Sequence, residues 1–543
     1  MMEEREINQF MNKVASYLNE HILGEAVASK AMRRRMSRDN SVLTITPELV
    51  VFPRSTNDIR KVARFAWQLA EKGHAISITP RGFGADTTGA SIGKGIIIDL
   101  SVSLNKTLLI AAKDRLVHVQ PGAALSTVQE ALRWQGLSIT GVPDDQCHTS
   151  VGGAIAGNVA GADGYLADAI SKIEVILSNG DTIETGRIDR KEVNKRLGMQ
   201  TFEGEIYRKL SGLLDDNEEL IERLSQDPVR DSTGYKAIAS VRRKDGSMDL
   251  TPLFIGSQGT LGIISEVVLR ADFYSQQSIE FVITPHSTQQ SRDLVDQILR
   301  LEPSALRVID EHFVTALSAH GKRLALIGDA DPQGAMIYGA FNDFSDRARM
   351  HKLKKLRKVL TKAGVGFVDS ENRDAAEFVQ FVEATASHNR IADEATITIP
   401  LIDGAFVPAD RREEFEEQME ELSLKQHVDL PYTLNVLTGT YTVFPHLKLD
   451  VVSEKQKIFR LMTSYAELVH KYNGAFTSDG AEGRLKANAA WSVLDEDEVA
   501  LYNGVRDIFD PFKTMNPGVK QTNDVRSLVA ALRTSYDGTD FLS

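Results

Sequence analysis

The chain has 543 residues, 42% hydrophobic and 25% charged, a soluble globular balance long enough for two or three domains and a large buried ligand. Its formal net charge of -12 gives no general attraction for nucleic acid, and the short basic run Arg33 to Arg35 reads as a solvated helix face. A single cysteine, Cys147, excludes internal disulfides and cysteine-built metal or iron–sulfur sites. No apolar run nears the length of a membrane span and the start MMEEREINQF is acidic, so a cytoplasmic chain is expected.

In chain order, Phe10, Val14, Leu18 and Ile22 recur at four-residue spacing and predict a packing helix within residues 1–40. From ELVVFP (48–53) short β-type runs follow: AISITP, GIIIDL, TLLIAA, RLVHVQPG and ISKIEVILSNGDTIET, the last with Asn179-Gly180 as a hairpin turn. Helical segments at 55–72 and 124–135 interrupt them, and GIISEVVLRADF closes the set. One strand-helix-strand unit followed by hairpins predicts an α+β domain over 41–272 rather than a regularly alternating doubly wound sheet. After residue 273, SIEFVITP, AMIYGAF, TITIPLI and YTLNVLTGTYTVF read as strands between helices at 287–301, 345–364, 408–424 and 453–472. That is a second α+β domain over 273–523, with 524–543 as a soft tail.

Between AISITP and GIIIDL lies the loop in TPRGFGADTTGAS (79–91), with Gly82, Gly84 and Gly89. Closely spaced glycines let backbone approach a ligand, and successive amides form a concavity for anions. Ala90 stands where a P-loop needs its lysine, and Thr87 fills the third glycine position of a dinucleotide fingerprint, with a strand following instead of a helix. The loop suits phosphate yet matches neither motif, and alone it reads equally well as turn architecture. Two further clusters, SVGGAIAGNVAG (150–161) and GSQGTLG (256–262), change the balance. Three in one domain imply an extended ligand with a pyrophosphate lying against backbone.

Taken in order, SRDNSVLTITPELVVFPRST (37–56), PRGFGADTTGA, the Pro143 to Gly161 stretch, STGYKA (232–237), GSQGTLGIISEVVL and DPFKTMNPG (510–518) carry a resemblance. The chain resembles the FAD-linked oxidases with a vanillyl-alcohol-oxidase (PCMH) type FAD-binding domain, in the D-lactate dehydrogenase and glycolate oxidase branch. The resemblance implies a two-part FAD-binding domain followed by an α+β, ferredoxin-like cap domain. It implies that the backbone of Arg81, Gly82, Phe83, Gly84, Ala85 and Asp86 surrounds the FAD pyrophosphate, with Thr87 or Thr88 supplying a hydroxyl where the family has Thr-Ser at Ala85-Asp86. Asp86 must then point away from the diphosphate. By the same resemblance Ser150, Gly152, Gly153, Asn158 and Gly161 flank the flavin and ribityl chain, Gly262 and Ile264 the adenine end, and Asn516 the isoalloxazine side. No histidine lies in 79–91 and the lone Cys147 reads as a packing residue, so the FAD is expected to be non-covalent.

Metal-dependent members of that branch carry H-x-G-D-G-N-x-H and G-E-H-G-x-G-x-x-K. Here GTYTVFPH (439–446) keeps only His446, and SDGAEGRLK (478–486) has Asp479 for the glutamate and Gly480 for the base, with Gly483 and Lys486 kept. One imidazole and one carboxylate do not fill a protein-built divalent site, so no metal is expected. The residues implied for substrate chemistry are His446 as base, Arg390 as a carboxylate clamp, Tyr441, Asp479, and Lys486 as electrostatic stabiliser. Two functions stay open. One is an FAD-dependent oxidoreductase acting on a small 2-hydroxy acid or alcohol, with a quinone, a cytochrome or a partner subunit as electron acceptor. The other is an FAD-binding relay or scaffold subunit with no substrate oxidation of its own. Peripheral membrane association is compatible with both.

Overall fold

The computed structural model describes residues 2–275, 277–319, 326, 333–386, 397–398, 401–448 and 451–533. The first sheet holds β1 (Glu25–Val27), β2 (Leu49–Phe52), β3 (Ile78–Arg81) and β4 (Ile96–Asp99) in the order β1-β2-β4-β3. Strands β2, β4 and β3 run parallel, which requires a crossover between β2 and β3. That crossover is a helix over Thr56–Glu71, started by Ser55, whose side chain accepts from the Asp58 amide. Its Ile59, Val62 and Ala66 pack on the sheet beside the N-terminal helix Met2–His21. The buried face of that first helix runs Met11, Val14, Leu18 and Ile22, while Phe10 is largely exposed, so the expected stripe is rotated by one residue at its start.

The second sheet is wholly antiparallel: β5 (Thr107–Ala111), β6 (Leu116–Val119), β7 (Ile170–Ile176), β8 (Thr182–Glu184) and β9 (Ile263–Arg270), in the order β8-β7-β9-β6-β5. The β7–β8 hairpin closes as expected at Asn179-Gly180, with Gly180 N donating to Leu177 O over 2.9 Å.

The cap is one seven-stranded antiparallel sheet of β10 (Ile279–Thr284), β11 (Ala305–Ile309), β12 (Met336–Phe341), β13 (Gly366–Asp369), β14 (Ile402–Phe406), β15 (Tyr432–Asn435) and β16 (Thr440–Val443), in the order β13-β10-β12-β11-β15-β16-β14. One face carries Phe281, Ile337, Val308, Leu434 and Tyr441 into a core with the helices Thr288–Leu299, Asp346–Ala363, Arg412–Gln426 and Val452–Lys471. Cross-strand pairing puts Tyr338, Arg307, Asn435 and Thr440 in one row on the other face, which turns to the first domain. YTLNVLTGTYTVF, which reads as one strand, is in fact the β15–β16 hairpin, turning at residues 436–439.

Beyond residue 475 the chain leaves the cap and returns to the first domain. Ile78 N donates to Thr514 O and Asn516 N to Ile78 O, each 2.8 Å, so residues 514–516 lie along the free edge of β3. The expected soft tail is ordered through Arg533: Val525–Ala531 is a helix, and Thr44 N bonds Ala531 O at 2.8 Å. Residues 534–543 lie outside the described part. Glu482 and Lys520 fasten this return as a fully buried ion pair, with Nζ 2.7 Å from Oε2. The other carboxylate oxygen accepts from Gly234 N at 2.9 Å and from the Trp491 indole at 3.0 Å. A buried pair is tolerable only when every donor and acceptor is used in this way. Glu482→Gln should therefore destabilise the chain by about 3–5 kcal/mol in denaturant unfolding, by leaving an uncompensated buried ammonium, and adding Lys520→Met should recover much of that loss.

Candidate active site

A narrow, mostly apolar cleft runs between the two sheets of the first domain. Its wall is close-packed: a Cβ on Gly82 would stand 2.1 Å from the Ser150 hydroxyl, so a side chain there would force the loop or Ser150 to shift. The amides of Phe83 through Thr87 make no hydrogen bond with any described residue. Five adjacent donors without a described partner, next to a narrow apolar cleft lined by Gly82 and Asp86, suit a dinucleotide bearing a pyrophosphate. Asp86 does not oppose this, because its carboxylate folds back onto its own loop: Oδ2 accepts from Thr88 N at 3.0 Å and Ala90 N at 2.7 Å, and Oδ1 from the Thr88 hydroxyl at 2.9 Å. Burial and then the neighbouring Asp39 push its pKa up to about 6.

Arg81, Gly82, Asp86, Ser150, Gly152, Gly153, Gly262 and Ile264 line this cleft. Other residues expected at the cofactor do not line the cleft, and their side chains or carbonyls are engaged outside it. Phe83 is exposed, and the carbonyls of Gly84 and Ala85 accept from Asn40. Thr87 reaches across to the cap, its hydroxyl 3.0 Å from Asp403 Oδ2. Asn516 is buried beneath the loop, donating to Ala90 O and Gln258 O at 2.8 Å, and so shapes the cleft from behind. Gln258, which line-by-line reading of a glycine cluster passes over, holds a left-handed backbone (φ 51°) and joins Thr88 to the Gly483 amide.

Asn158 and Gly161 stand where the cleft wall meets the cap. Asn435 donates to Gly161 O at 3.0 Å, and the Ala160 amide donates to Asp479 Oδ1 at 2.7 Å. Asp479 is set by a bulge in β14: Gly404, at φ 81°, accepts from both Ser478 N and Asp479 N at 2.9 Å, and a Cβ there would collide with the Asp479 carbonyl. Burial, the largest effect, pushes the Asp479 pKa up to about 7, with Asp403 adding and Lys486 opposing. Lys486 is itself fully buried and committed to Asp403, 2.7 Å from Oδ1.

The remaining expected catalytic residues separate. Tyr441 is a correction: alternation along β16 sends it to the helix-packed face, where its hydroxyl donates to Glu416 at 2.8 Å and its ring meets Phe415. It cannot touch a substrate between the domains. His446 pairs with Thr398 at the cap edge, its Nδ1 3.8 Å from the exposed Asp429, and shares no described bond with Asp479 or Lys486. Arg390 lies outside the described residues. Among the described residues no group of three or more His, Cys, Asp or Glu is arranged to hold a metal. Cys147 is exposed on the 143–149 loop.

The cleft geometry predicts that Gly82→Val, which forces the loop off Ser150, and Gly84→Val, whose side chain would meet the Arg81 guanidinium, both lower FAD content strongly while the chain stays folded. Absorbance at the flavin bands against protein concentration measures it; full occupancy in both variants would contradict the assignment.

Residues 47–186 match the FAD binding domain family, and residues 285–519 match the FAD linked oxidases, C-terminal domain. D-2-hydroxyglutarate dehydrogenase of Pantoea ananatis is 25% identical over 520 residues, covering 91% of this chain and 50% of that protein. Glycolate oxidase subunit GlcD of Bacillus subtilis is 21% identical over 502 residues, covering 90% and 92%. The chain thus spans about half the length of the first of these relatives and nearly all of the second. In three dimensions it resembles 4-ethylphenol oxidase from Gulosibacter chungangensis (TM-score 0.66, 15% identity, 96% and 98% of the two chains) and p-cresol methylhydroxylase (0.66, 12%, 96% and 98%). No described helix is long and apolar enough to cross a membrane. An FAD-binding domain of the PCMH type joined to an FAD-linked oxidase cap, in the same order along the chain, makes this protein a member of the FAD-linked oxidase family.

Proposed function

We propose that this chain oxidises a small 2-hydroxy acid between its cap and its FAD, with Asp479 as the group that takes the hydroxyl proton. Bound FAD supplies a two-electron acceptor for the hydride leaving the carbon. The loop amides of Phe83 to Thr87 and the glycine wall beside Ser150 would hold the cofactor's pyrophosphate and the chain next to it. The observation that carries the reading is Asp479: a carboxyl at the seam between the domains, fixed by the Ala160 amide and the Gly404 bulge, with a pKa near 7. A group poised near the working pH is suited to accept a proton and give it up again. His446, at the cap edge, is not needed for this role. Asp403 and Lys486 act as positioning residues that tie Thr87 of the cofactor loop to the strand whose Gly404 accepts from the base's own amide. The names of relatives acting on 2-hydroxyglutarate, glycolate and lactate support a 2-hydroxy acid over a simple alcohol.

Anaerobic mixing of the holoprotein with 2-hydroxy acids should bleach the flavin, and the rate should survive EDTA. Asp479 must be ionised to act, so the rate should rise with pH through about 7 and level off above it. Asp479→Asn should cut the rate by about a hundredfold or more and abolish that rise, while His446→Ala changes it little. Because the folded chain disfavours the charged form, the Asn variant should melt no lower than wild type at pH 8. A flavin that no 2-hydroxy acid bleaches would favour the relay-subunit reading. The electron acceptor, whether quinone, cytochrome or partner subunit, would then be sought by reoxidation of the reduced protein with each class.

A further inference from the structure

We propose that Arg307 grips a carboxylate of the substrate, which makes the enzyme selective for anionic hydroxy acids over neutral alcohols; this rests on the oxidoreductase reading above. Arg307 is the one charged residue of ALRVI, the strand β11 at the centre of the seven-stranded cap sheet. It is 9% exposed, and both faces of its strand are covered. An arginine there carries a large desolvation cost unless its donors are used. They are only partly used. Nη2 donates to Asp144 on the facing loop of the first domain, whereas Nη1 is buried and makes no hydrogen bond.

Its row neighbours do not fill that gap. Tyr338 donates its hydroxyl to Glu280 at 3.2 Å, and Asn435 spends its amide on Gly161 O at 3.0 Å and its carbonyl on Leu437 N at 3.1 Å. A guanidinium presents a planar fork that matches a carboxylate through two parallel bonds, and here one prong is occupied and the other bare. Asp144 is a replaceable partner: its side chain is 32% exposed and sits on a loop, so it can turn to solvent when another carboxylate arrives. The location is also the right one. Asn435 and Gly161 join the two domains beside Arg307, and Gly161 is one residue from the amide that holds Asp479. A substrate whose hydroxyl lies at Asp479 thus has its acid group within the same seam.

The test uses FAD-loaded protein and malonate, a carboxylate that cannot be oxidised, read by perturbation of the flavin spectrum, alongside anaerobic bleaching by 2-hydroxy acids. Arg307→Met should weaken malonate binding by about 10- to 100-fold, the scale of a lost charge-assisted hydrogen bond, and raise the substrate concentration for half-maximal bleaching by a similar factor. Asp144→Asn should bind malonate as tightly as wild type or more tightly, because it removes the competing anion. Malonate binding unchanged in Arg307→Met, or absent in wild type, would overturn the proposal. So would an Asp144→Asn variant weakened as much as Arg307→Met, since the two residues would then form only a structural pair. If Arg307→Met loses its FAD, the Asp144→Asn arm decides alone. Failure of the oxidoreductase reading looks different: malonate binds and depends on Arg307, yet no hydroxy acid bleaches the flavin.

Discussion

The ion pair of Glu482 with Lys520 is the constraint on which the two domains depend. Both groups are withdrawn from water, and their mutual attraction offsets that cost only while the surrounding donors stay in place. Those donors come from distant parts of the chain: Gly234 from the first domain, and Trp491 and Lys520 from after the cap. The stretch of residues 477–486, which contains Glu482, bonds outward to both domains. Thr477 meets Thr233 and Asp231, Gly483 meets Gln258, and Arg484 bonds the carbonyls of Gly89 and Ile92. With almost no regular structure of its own, the segment is held by side-chain and backbone bonds to its neighbours. Asp479 sits inside it, so the placement of the candidate base is inherited from the packing of the stretch as a whole.

Much of the first domain was legible because its signals are local. Asn179-Gly180 closes a hairpin by its own backbone preference, and the glycines of 79–91 mark a place where backbone must come close to something. Eight of the residues expected at the cofactor do line the cleft. Asp86 illustrates the boundary of such reading. Its charge looked like a difficulty, and its solution, a return onto Thr88 and Ala90, is an Asx-type turn that the spacing permits but does not announce.

The cap was less legible, for a physical reason. Catalytic faces on a sheet obey a period of two, so an error of one position sends a residue to the wrong side and an error in locating a turn moves a whole motif. Tyr441 illustrates the first case, and YTLNVLTGTYTVF, which turns back on itself at 436–439, the second. Contacts such as Thr87 with Asp403 and Arg307 with Asp144 join residues more than a hundred positions apart, and no periodicity encodes them. What sequence does show of Arg307 is its oddity: an arginine in the middle of an otherwise apolar run of five.

The electrostatics of the seam follow from how two carboxylates divide one lysine. Lys486 is bound to Asp403, by its carboxylate and by its backbone carbonyl at 3.1 Å, and so stands in direct contact with only one of them. Seen from Asp479, the lysine lowers the pKa and the aspartate raises it, and the two act in opposition from one place. Burial, opposed in part by the hydrogen bond from the Ala160 amide, then sets the result and favours the protonated form. Had Lys486 turned to Asp479 instead, the carboxylate would be held ionised and would be a poor proton acceptor at neutral pH. At the Gly404 bulge Asp479 is held through its backbone amide rather than through a counter-charge. Thus a left-handed glycine in a cap strand, chemically inert in itself, stands between the Asp403–Lys486 ion pair and the acid whose amide it accepts.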